Sequence, residues 1–172
     1  MSNSHLGAMV DIETLSTHPN AIIVSIGACK YNLETLETYD DFYINIDPKD
    51  SAKYGLHIEK STIEWWKSQD PAIMKQWQSN GVSLEEGMRK FIKWYDPDLA
   101  FTCWGLNFDE PIINSNLIAI GESIKWKYWA SRCARTICEL EGVKIKRSQK
   151  SHNALQDCKD QCNALFEVFK SE

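Results

Sequence analysis

The sequence predicts an α/β protein built around one mixed five-stranded sheet, a three-stranded antiparallel meander plus two parallel strands, flanked by helices. Apolar or alternating stretches at residues 5–13, 21–31 and 37–46 are joined by short links, as in a meander. After them, segments whose apolar residues recur at helical spacing alternate with short stretches at residues 99–104 and 126–134 that are predicted to be strands, as in an α/β fold. A hydrophobic share of 43% and a charged share of 25% are typical of an ordinary globular domain.

Capping residues and helical spacing predict where the helices lie. Ser61, with Glu64 three residues later, has the spacing of a capping box and predicts the start of one helix. Asp70 before a proline and Ser83 before a helically spaced apolar stretch predict two more. Residues 47–55 are predicted to form a polar loop, and residues 143–150 a basic one. Further helices are predicted at residues 108–120, 136–140 and 153–169.

Length and composition narrow the class of protein. We expect the 172 residues to form one domain, residues 5–172, with residues 1–4 set aside as a tail. The sequence shows neither a secretion signal nor the run of ~20 apolar residues that spans a membrane, so we expect a cytoplasmic protein without a membrane partner. The six cysteines are then expected to be reduced thiols. A net charge of −5 disfavours electrostatic coating of nucleic acid but permits a carboxylate site that holds cations.

The first predicted strand carries two acids, Asp11 and Glu13, separated by one residue. Side chains two residues apart on a strand share a face, so these carboxylates would project together while Val10 and Ile12 face the other way. Two like charges so close repel each other unless a cation lies between them, and a hard divalent ion is one solution. Considered alone, the pair is explained more simply as two surface acids on an edge strand.

Three further polar residues lie where α/β proteins place ligands. Asp109 follows the fourth predicted strand and a break at Gly105, at the start of a helix. His152 lies in the loop before the last helix, Asn153 can cap that helix, and Asp157 falls near its first turn. Taken singly, Asp109 and Asp157 are explained as favourable charges at helix N-termini, and His152 as a loop residue.

Taken together, these motifs resemble the DEDDh group of the DnaQ-like 3′–5′ exonucleases, which have an RNase H-like fold. The order is D-I-E on the first strand, an Asp after a central strand, and H-x-x-x-x-D opening the last helix. The stretches I-I-V-S-I-G-A, T-I-E-W-W, W-G-x-x-F-D-x-P-I-I, W-K-Y-W-x-x-R-x-x-R-T-I and H-x-A-x-x-D-x-x-x-Q are similar to one branch, the phage and prophage exonucleases and related bacterial exoribonuclease-like domains. The likeness spans residues 8–170. Cys133, where an Asp is usual, and Asn153, where an acid is common, depart from the pattern without removing a metal ligand.

The resemblance implies hydrolysis with two metal ions. Asp11, Glu13, Asp109 and Asp157 would bind two Mg²⁺ ions, for which Mn²⁺ can substitute, and His152 would act as general base toward the attacking water. Asp11 would bridge both ions, and Glu13 would also reach the 3′ end. The products would be nucleoside 5′-monophosphates, released from the 3′ ends of single-stranded DNA or RNA.

Several other residues are candidate substrate contacts. By family likeness, Thr14 and Leu15 would contact the 3′-terminal nucleotide, Leu15 by wedging against its base. Of Trp65 and Trp66, adjacent on a helix, we expect one in the core and one near the cleft as a stacking surface for bases. The basic loop before His152 would guide the phosphate backbone, or else be a solvated loop. The remaining candidates are Asn107, Arg132, Arg135, Lys146 and Arg147, together with Lys144 and Lys150 of the basic loop.

Two alternative functions stay open at this point. A nucleic-acid-binding or proofreading-type accessory module would have little catalysis of its own, although the complete acidic set with a histidine argues against it. An endonuclease of the wider RNase H-like group is disfavoured by the H-x-x-x-x-D motif. The sequence decides neither the preference for DNA or RNA nor the oligomeric state. Relatives often dimerise, so a homodimer is one arrangement to expect.

Overall fold

Five strands form one mixed sheet. The computed structural model describes residues 4–148 and 152–170. The strands are β1 (Leu6–Thr14), β2 (Ile23–Asn32), β3 (Glu37–Asn45), β4 (Ala100–Cys103) and β5 (Arg132–Cys133). Their order across the sheet is β3-β2-β1-β4-β5; β2 is antiparallel to both β3 and β1, β4 is parallel to β1, and β5 is parallel to β4. The predicted meander followed by two parallel strands is confirmed.

Seven α-helices lie in the described residues. They are α1 (Pro48–Ala52), α2 (Lys60–Lys67), α3 (Pro71–Asn80), α4 (Leu84–Trp94), α5 (Leu106–Ala119), α6 (Ala134–Leu140) and α7 (Ala154–Phe169), and a 3₁₀ turn spans Tyr128–Ala130. Asp70, Ser83 and Asn153 cap α3, α4 and α7 as predicted, each accepting a backbone N–H of the first turn. None of the helices in this part of the chain combines the length and apolar character needed to cross a bilayer.

Two helix starts differ from the prediction. Residues 48–52 form α1 rather than part of a loop, because the side chain of Asp47 caps them. Helix α2 has Glu59 in the cap position, so the prediction that Ser61 caps it is wrong. The Glu59 amide donates to the carbonyl of Leu15 over 2.9 Å. This contact between distant parts of the chain determines where α2 begins.

The fifth strand is shorter than predicted. Of the predicted residues 126–134, only Arg132 and Cys133 pair with β4. Trp126, which was expected to begin the strand, instead turns into the core and stacks on Phe101 with ring centroids 4.3 Å apart. Its indole N–H donates to a carboxylate oxygen of Glu110 over 2.7 Å. Burial of the large ring, with a partner for its polar atom, therefore prevails over strand pairing here.

The two faces of the sheet are covered by different helices. On β1, Ala8, Val10 and Ile12 pack into an apolar cluster with residues of α4 and α5. Met9 packs on the opposite face with residues of α6 and α7. Because alternate residues of a strand share a face, the acids of β1 project on the side of α7, away from Val10 and Ile12 as predicted.

Helix α7 lies directly against β2 at Gly27. A Cβ on Gly27 would overlap backbone atoms of Ala154 and Leu155, the first residues of α7. The Cys158 thiol donates to the Gly27 carbonyl over 3.1 Å. Gly27 also faces Asp11 in the register of β1 and β2. The lack of a side chain at this position therefore brings the first turns of α7 close to the strand that carries the acids.

We predict that Gly27→Ala destabilises the protein through this close contact. Overpacking costs about 1–3 kcal/mol, which for a domain of this size lowers Tm by roughly 3–10 °C. The matched control is Gly105→Ala, since the nearest atom to a Cβ there is the end of the Arg135 side chain, 3.9 Å away. Thermal unfolding followed by circular dichroism measures both variants. Equal melting temperatures for the two would contradict the close approach of α7.

Candidate active site

Three carboxylates meet at the carboxyl end of β1. Asp11 and Glu13 lie on that strand, and Asp157 lies in the first turn of α7. One oxygen from each lies within 4.8 Å of the other two. Among the described residues, this is the group of acidic, histidine or cysteine side chains near enough to share a metal ion. We call it the three-acid group.

Asp109 adjoins the three-acid group without being one of its members. It lies in the first turn of α5, after β4, whose carboxyl end is beside that of β1. Burial raises the pKa of Asp109 to about 7, against the opposing effect of hydrogen bonds from the Cys103 thiol and the backbone amide of Gly105. The charge of Asp109 in turn helps to raise the pKa of Asp11. Asp109 therefore belongs to the same electrostatic cluster.

Burial makes the cluster costly to ionise. Burial is the largest cause that raises the pKa of Asp11 and of Glu13 well above their ordinary values, and the neighbouring carboxylates raise both further. Burial also raises the pKa of Asp157, against the opposing charge of Arg147. The Arg147 guanidinium donates to Asp157 Oδ1 over 2.7 Å. One guanidinium cannot balance four neighbouring acids, so the cluster favours bound protons or additional cations.

Gln161 approaches the cluster from α7. It follows Asp157 by four residues, which places both side chains on one face of the helix. Its Nε2 donates to Asp11 Oδ1 over 3.0 Å. The sequence motif includes this glutamine, but the sequence reasoning assigned no role to it. The spacing of four residues after Asp157 is the signal that could have identified it.

A cleft of about 460 Å³ adjoins the acids. Trp65 is 45% exposed there, whereas Trp66 is only 2% exposed, so one tryptophan lies in the cleft and one in the core, as expected. The Trp66 indole donates to the carbonyl of Thr14 over 2.8 Å. The other lining residues include Glu13, Thr14, Thr17, Glu59, Thr62 and Phe108. Glu59 was not among the predicted site residues, because only the tertiary structure brings it to this wall.

His152 packs against the tryptophan pair at one side of the cleft. It directly precedes Asn153, the cap of α7. Ring centroids lie 4.9 Å apart between His152 and Trp65, and 5.5 Å apart between His152 and Trp66, both in edge-on geometry. The charge of His152 also opposes the rise in the pKa of Asp157. The structure therefore brings His152 together with the acids and the cleft.

The other predicted substrate contacts lie at the start of α5, on α6 and in the loop before α7. Asn107 is exposed in the first turn of α5, and Arg135 is exposed with its guanidinium near Gly105, the residue before α5. Lys146 and Arg147 line a second cavity, of about 640 Å³, beside α7. Of these residues Arg147 contacts Asp157 directly, and the roles of all four stay predictions.

Two predicted contacts lie away from the cleft. Leu15 is 4% exposed and packs with Trp66 in a separate apolar cluster, so it would have to leave that cluster to touch a base. Arg132 is not brought to the acids, because its guanidinium turns to the Tyr31 hydroxyl, 3.3 Å away. Tyr31 pairs with Gly7 near the start of β1, whereas the acids lie at its other end. Lys150 falls outside the described residues.

This sheet order, with acids on the central strand and on the helices beside it, is the predicted RNase H-like arrangement, which exonuclease I shares. The chain belongs to the family described as the 3′–5′ exoribonuclease Rv2179c-like domain, whose model matches residues 7–169.

Several known proteins similar to the chain are exonucleases. An exodeoxyribonuclease of Enterobacteria phage T4 is 31% identical over an alignment of 120 residues, covering 61% of this chain and 52% of that protein. Exonuclease I of E. coli, in complex with a dT13 oligonucleotide, has a similar structure, with a TM-score of 0.71 at 13% identity. The match covers 95% of this chain and 40% of the exonuclease I chain. For exonuclease I of Methylocaldum szegediense, the match covers 96% of this chain and 42% of the other, with a TM-score of 0.68 at 14% identity. These structural matches show the shared fold, and the chain spans about half the length of the relatives or less.

We predict that the metal-free protein loses stability as the pH rises from about 4 to 7. In this window native Asp109, with a pKa of about 7 rather than 3.8, binds more protons than the unfolded chain does. Stability then falls with rising pH, and the loss is complete above the folded-state pKa. Asp109→Asn removes this cost and should raise Tm at pH 8 by about 3 °C or more. Thermal unfolding in a chelator at pH 5 and pH 8 measures the effect.

The control for that experiment is Asp98→Asn, which neutralises an exposed aspartate outside the cluster. Its Tm should follow that of the wild type at both pH values. If Asp109→Asn also followed the wild type, burial of the Asp109 charge would not limit stability.

Proposed function

We propose that the protein hydrolyses phosphodiester bonds at the 3′ ends of single-stranded nucleic acid and releases nucleoside 5′-monophosphates in a metal-dependent reaction. The observation that carries this proposal is the meeting of Asp11, Glu13 and Asp157 within 4.8 Å, beside a cleft with an exposed Trp65. Membership of a 3′–5′ exoribonuclease family supports the direction of attack. The likeness of the fold to exonuclease I supports the same class of reaction.

The donor set fits hard divalent cations. Carboxylate oxygens are the ligands that Mg²⁺ prefers, and buried acids that repel one another are stabilised by a cation between them. Asp11, Glu13 and Asp157 would hold the first ion, and Asp109 would complete the set for a second. When bound, two such ions activate a water molecule and stabilise the departing 3′-oxygen. We propose Mg²⁺ as the natural ion, with Mn²⁺ as a substitute.

His152 is the proposed general base. A histidine side chain can accept a proton near neutral pH, and removal of the water proton is the step that requires it. The edge-on contacts with Trp65 and Trp66 restrict rotation of the imidazole and cover it with apolar surface. Its place next to the cap of α7 couples its position to that of Asp157 in the first turn.

The cleft next to Glu13 is the proposed place of the 3′-terminal nucleotide. Trp65 offers an aromatic surface on which any base can stack. Thr14 lies at the floor of the cleft, while Arg135 and Lys146 are exposed cations for the phosphate backbone. Similar proteins act on both kinds of strand: the family is described as exoribonuclease-like, and the phage T4 relative is an exodeoxyribonuclease. We therefore propose that the substrate is a single strand of RNA or of DNA, and that digestion of the two should be compared.

Digestion of matched single-stranded RNA, single-stranded DNA and 3′-overhang duplexes, each labelled at the 5′ end or the 3′ end, tests this function. The wild type with Mg²⁺ should shorten 5′-labelled strands stepwise and release labelled mononucleotides from 3′-labelled strands. His152→Ala should lower kcat by about 10²- to 10⁴-fold, the usual contribution of general acid–base catalysis, while the fold is retained. Asp11→Asn should lose both activity and calorimetric Mg²⁺ binding.

The matched controls are His5→Ala and Asp98→Asn, exposed residues away from the cleft, which should digest like the wild type. Internal cuts in the ladder would instead indicate an endonuclease. Binding of strands without cleavage by the wild type would indicate an accessory module. Full activity of His152→Ala would remove His152 from the mechanism.

Trp65→Ala is predicted to weaken substrate binding. Stacking on an aromatic side chain contributes about 1–3 kcal/mol per base, so KM should rise roughly 5- to 150-fold. Trp65→Phe should keep most of the affinity, because it keeps an aromatic surface. Trp129→Ala, which removes a tryptophan that is 70% exposed outside the cleft, is the control. Steady-state kinetics on short single strands measures all three variants, and an unchanged KM for Trp65→Ala would contradict the stacking role.

A further inference from the structure

Gln161 is a buried polar residue in direct contact with the acidic cluster. It lies within α7 and is 1% exposed. Its Nε2 donates to Asp11 Oδ1 over 3.0 Å. In this contact the amide N–H donates and the carboxylate oxygen accepts, which leaves Oε1 as the acceptor end of the amide.

The other half of the same amide has no partner among the described residues. Gln161 Oε1 is buried and accepts no hydrogen bond within the part of the chain that the structure describes. A buried polar atom without a partner destabilises the folded protein, so most buried polar atoms have a hydrogen-bond partner. Two other buried side-chain oxygens share this condition, those of Ser51 and Asn116, but neither residue contacts the acids.

Packing alone does not explain a glutamine at this position. The surrounding residues of α7, such as Cys158, Cys162 and Leu165, form an apolar cluster, which a leucine would join without an unsatisfied oxygen. A glutamine supplies a donor for Asp11 and adds a buried acceptor, Oε1, that needs a partner of its own. The Nε2 end already has Asp11, so the question is which donor the Oε1 end accepts from.

The chemistry of the site points to water carried by a cation. Mg²⁺ keeps several of its waters when carboxylates bind it, and those waters are strong hydrogen-bond donors. Side chains that contact metal ligands or metal-bound waters orient the site and tune its affinity. Gln161 has one end on a proposed ligand and a free acceptor beside the same group of acids.

We propose that Gln161 is a positioning residue of the metal site. Its Nε2 holds the Asp11 carboxylate in one orientation, and its Oε1 accepts a hydrogen bond from a water of the hydrated divalent ion. This inference rests on the proposed metal-dependent function. It also gives a chemical role to the close approach of α7 at Gly27, because a helix farther from the sheet would carry the amide out of reach of Asp11.

Gln161→Leu tests the inference, because it keeps the size of the side chain and removes both the donor and the acceptor. Calorimetric titration with Mn²⁺ should show an affinity about 10- to 100-fold weaker than that of the wild type, the usual effect of losing such a contact. The value of kcat should fall by a similar factor, with KM for the strand changed less than twofold. Asn163→Leu, on the exposed face of the same helix, is the matched control and should bind Mn²⁺ like the wild type.

Gln161→Glu is the second variant, which keeps the shape of the side chain and an acceptor but loses the donor to Asp11. We expect it to stay folded and to lose at least about 10-fold in kcat. It keeps the experiment informative if the leucine variant fails to fold. Full kcat and unchanged Mn²⁺ affinity in a folded Gln161 variant would overturn the inference, and so would a loss of thermal stability without either change.

The wild type and Asp11→Asn separate this failure from failure of the proposed function. If the wild type binds Mn²⁺ and digests 3′ ends, and Asp11→Asn does neither, the function stands and the Gln161 variants alone decide the inference. If the wild type binds no Mn²⁺, the proposed function fails and the role of Gln161 fails with it.

Discussion

The backbone contact between α7 and β2 at Gly27 is the constraint on which the site depends. Gly27 faces Asp11 across the register of β1 and β2, and its missing side chain admits the first residues of α7. Asp157 and Gln161, on one face of that helix, then lie against the acids of β1. A site held by direct contact between a strand and a helix is rigid, which suits chemistry that requires ligands to be placed within about 0.5 Å.

The acids that this contact brings together destabilise the folded protein, because carboxylates that lie close together in a buried place are costly to ionise. The same arrangement suits them to catalysis. Burial raises the pKa of Asp11, Glu13 and Asp109, and repulsion from neighbouring carboxylates raises the pKa of Asp11 and Glu13 further, so the ionised forms are costly in the absence of cations. The apolar clusters on both faces of the sheet stabilise the fold against this cost. A bound cation would turn the repulsion into attraction, and so link occupancy of the proposed metal site to the stability of the domain.

Local patterns predicted the elements that carry the site. Alternation along β1 placed Asp11 and Glu13 on one face, and the cap at Asn153 set the start of α7, and thereby the places of His152 and Asp157. Helix α1 was missed although its cap, Asp47, is local, whereas two other predictions failed because distant contacts decided. The start of α2 depends on a hydrogen bond from Glu59 to Leu15, which no local signal reveals. The extent of β5 depends likewise on the burial of Trp126.

The sequence by itself determined the order of the strands and helices and the acidic motif, because strand and helix periodicities are expressed within two to four residues. Only the tertiary structure decided which side chains meet. It joined Gln161 to Asp11 across 150 residues of sequence. It also placed Leu15 in the core and turned Arg132 toward Tyr31. Such contacts depend on how closely whole elements pack, and at Gly27 that distance is set by the absence of a single side chain.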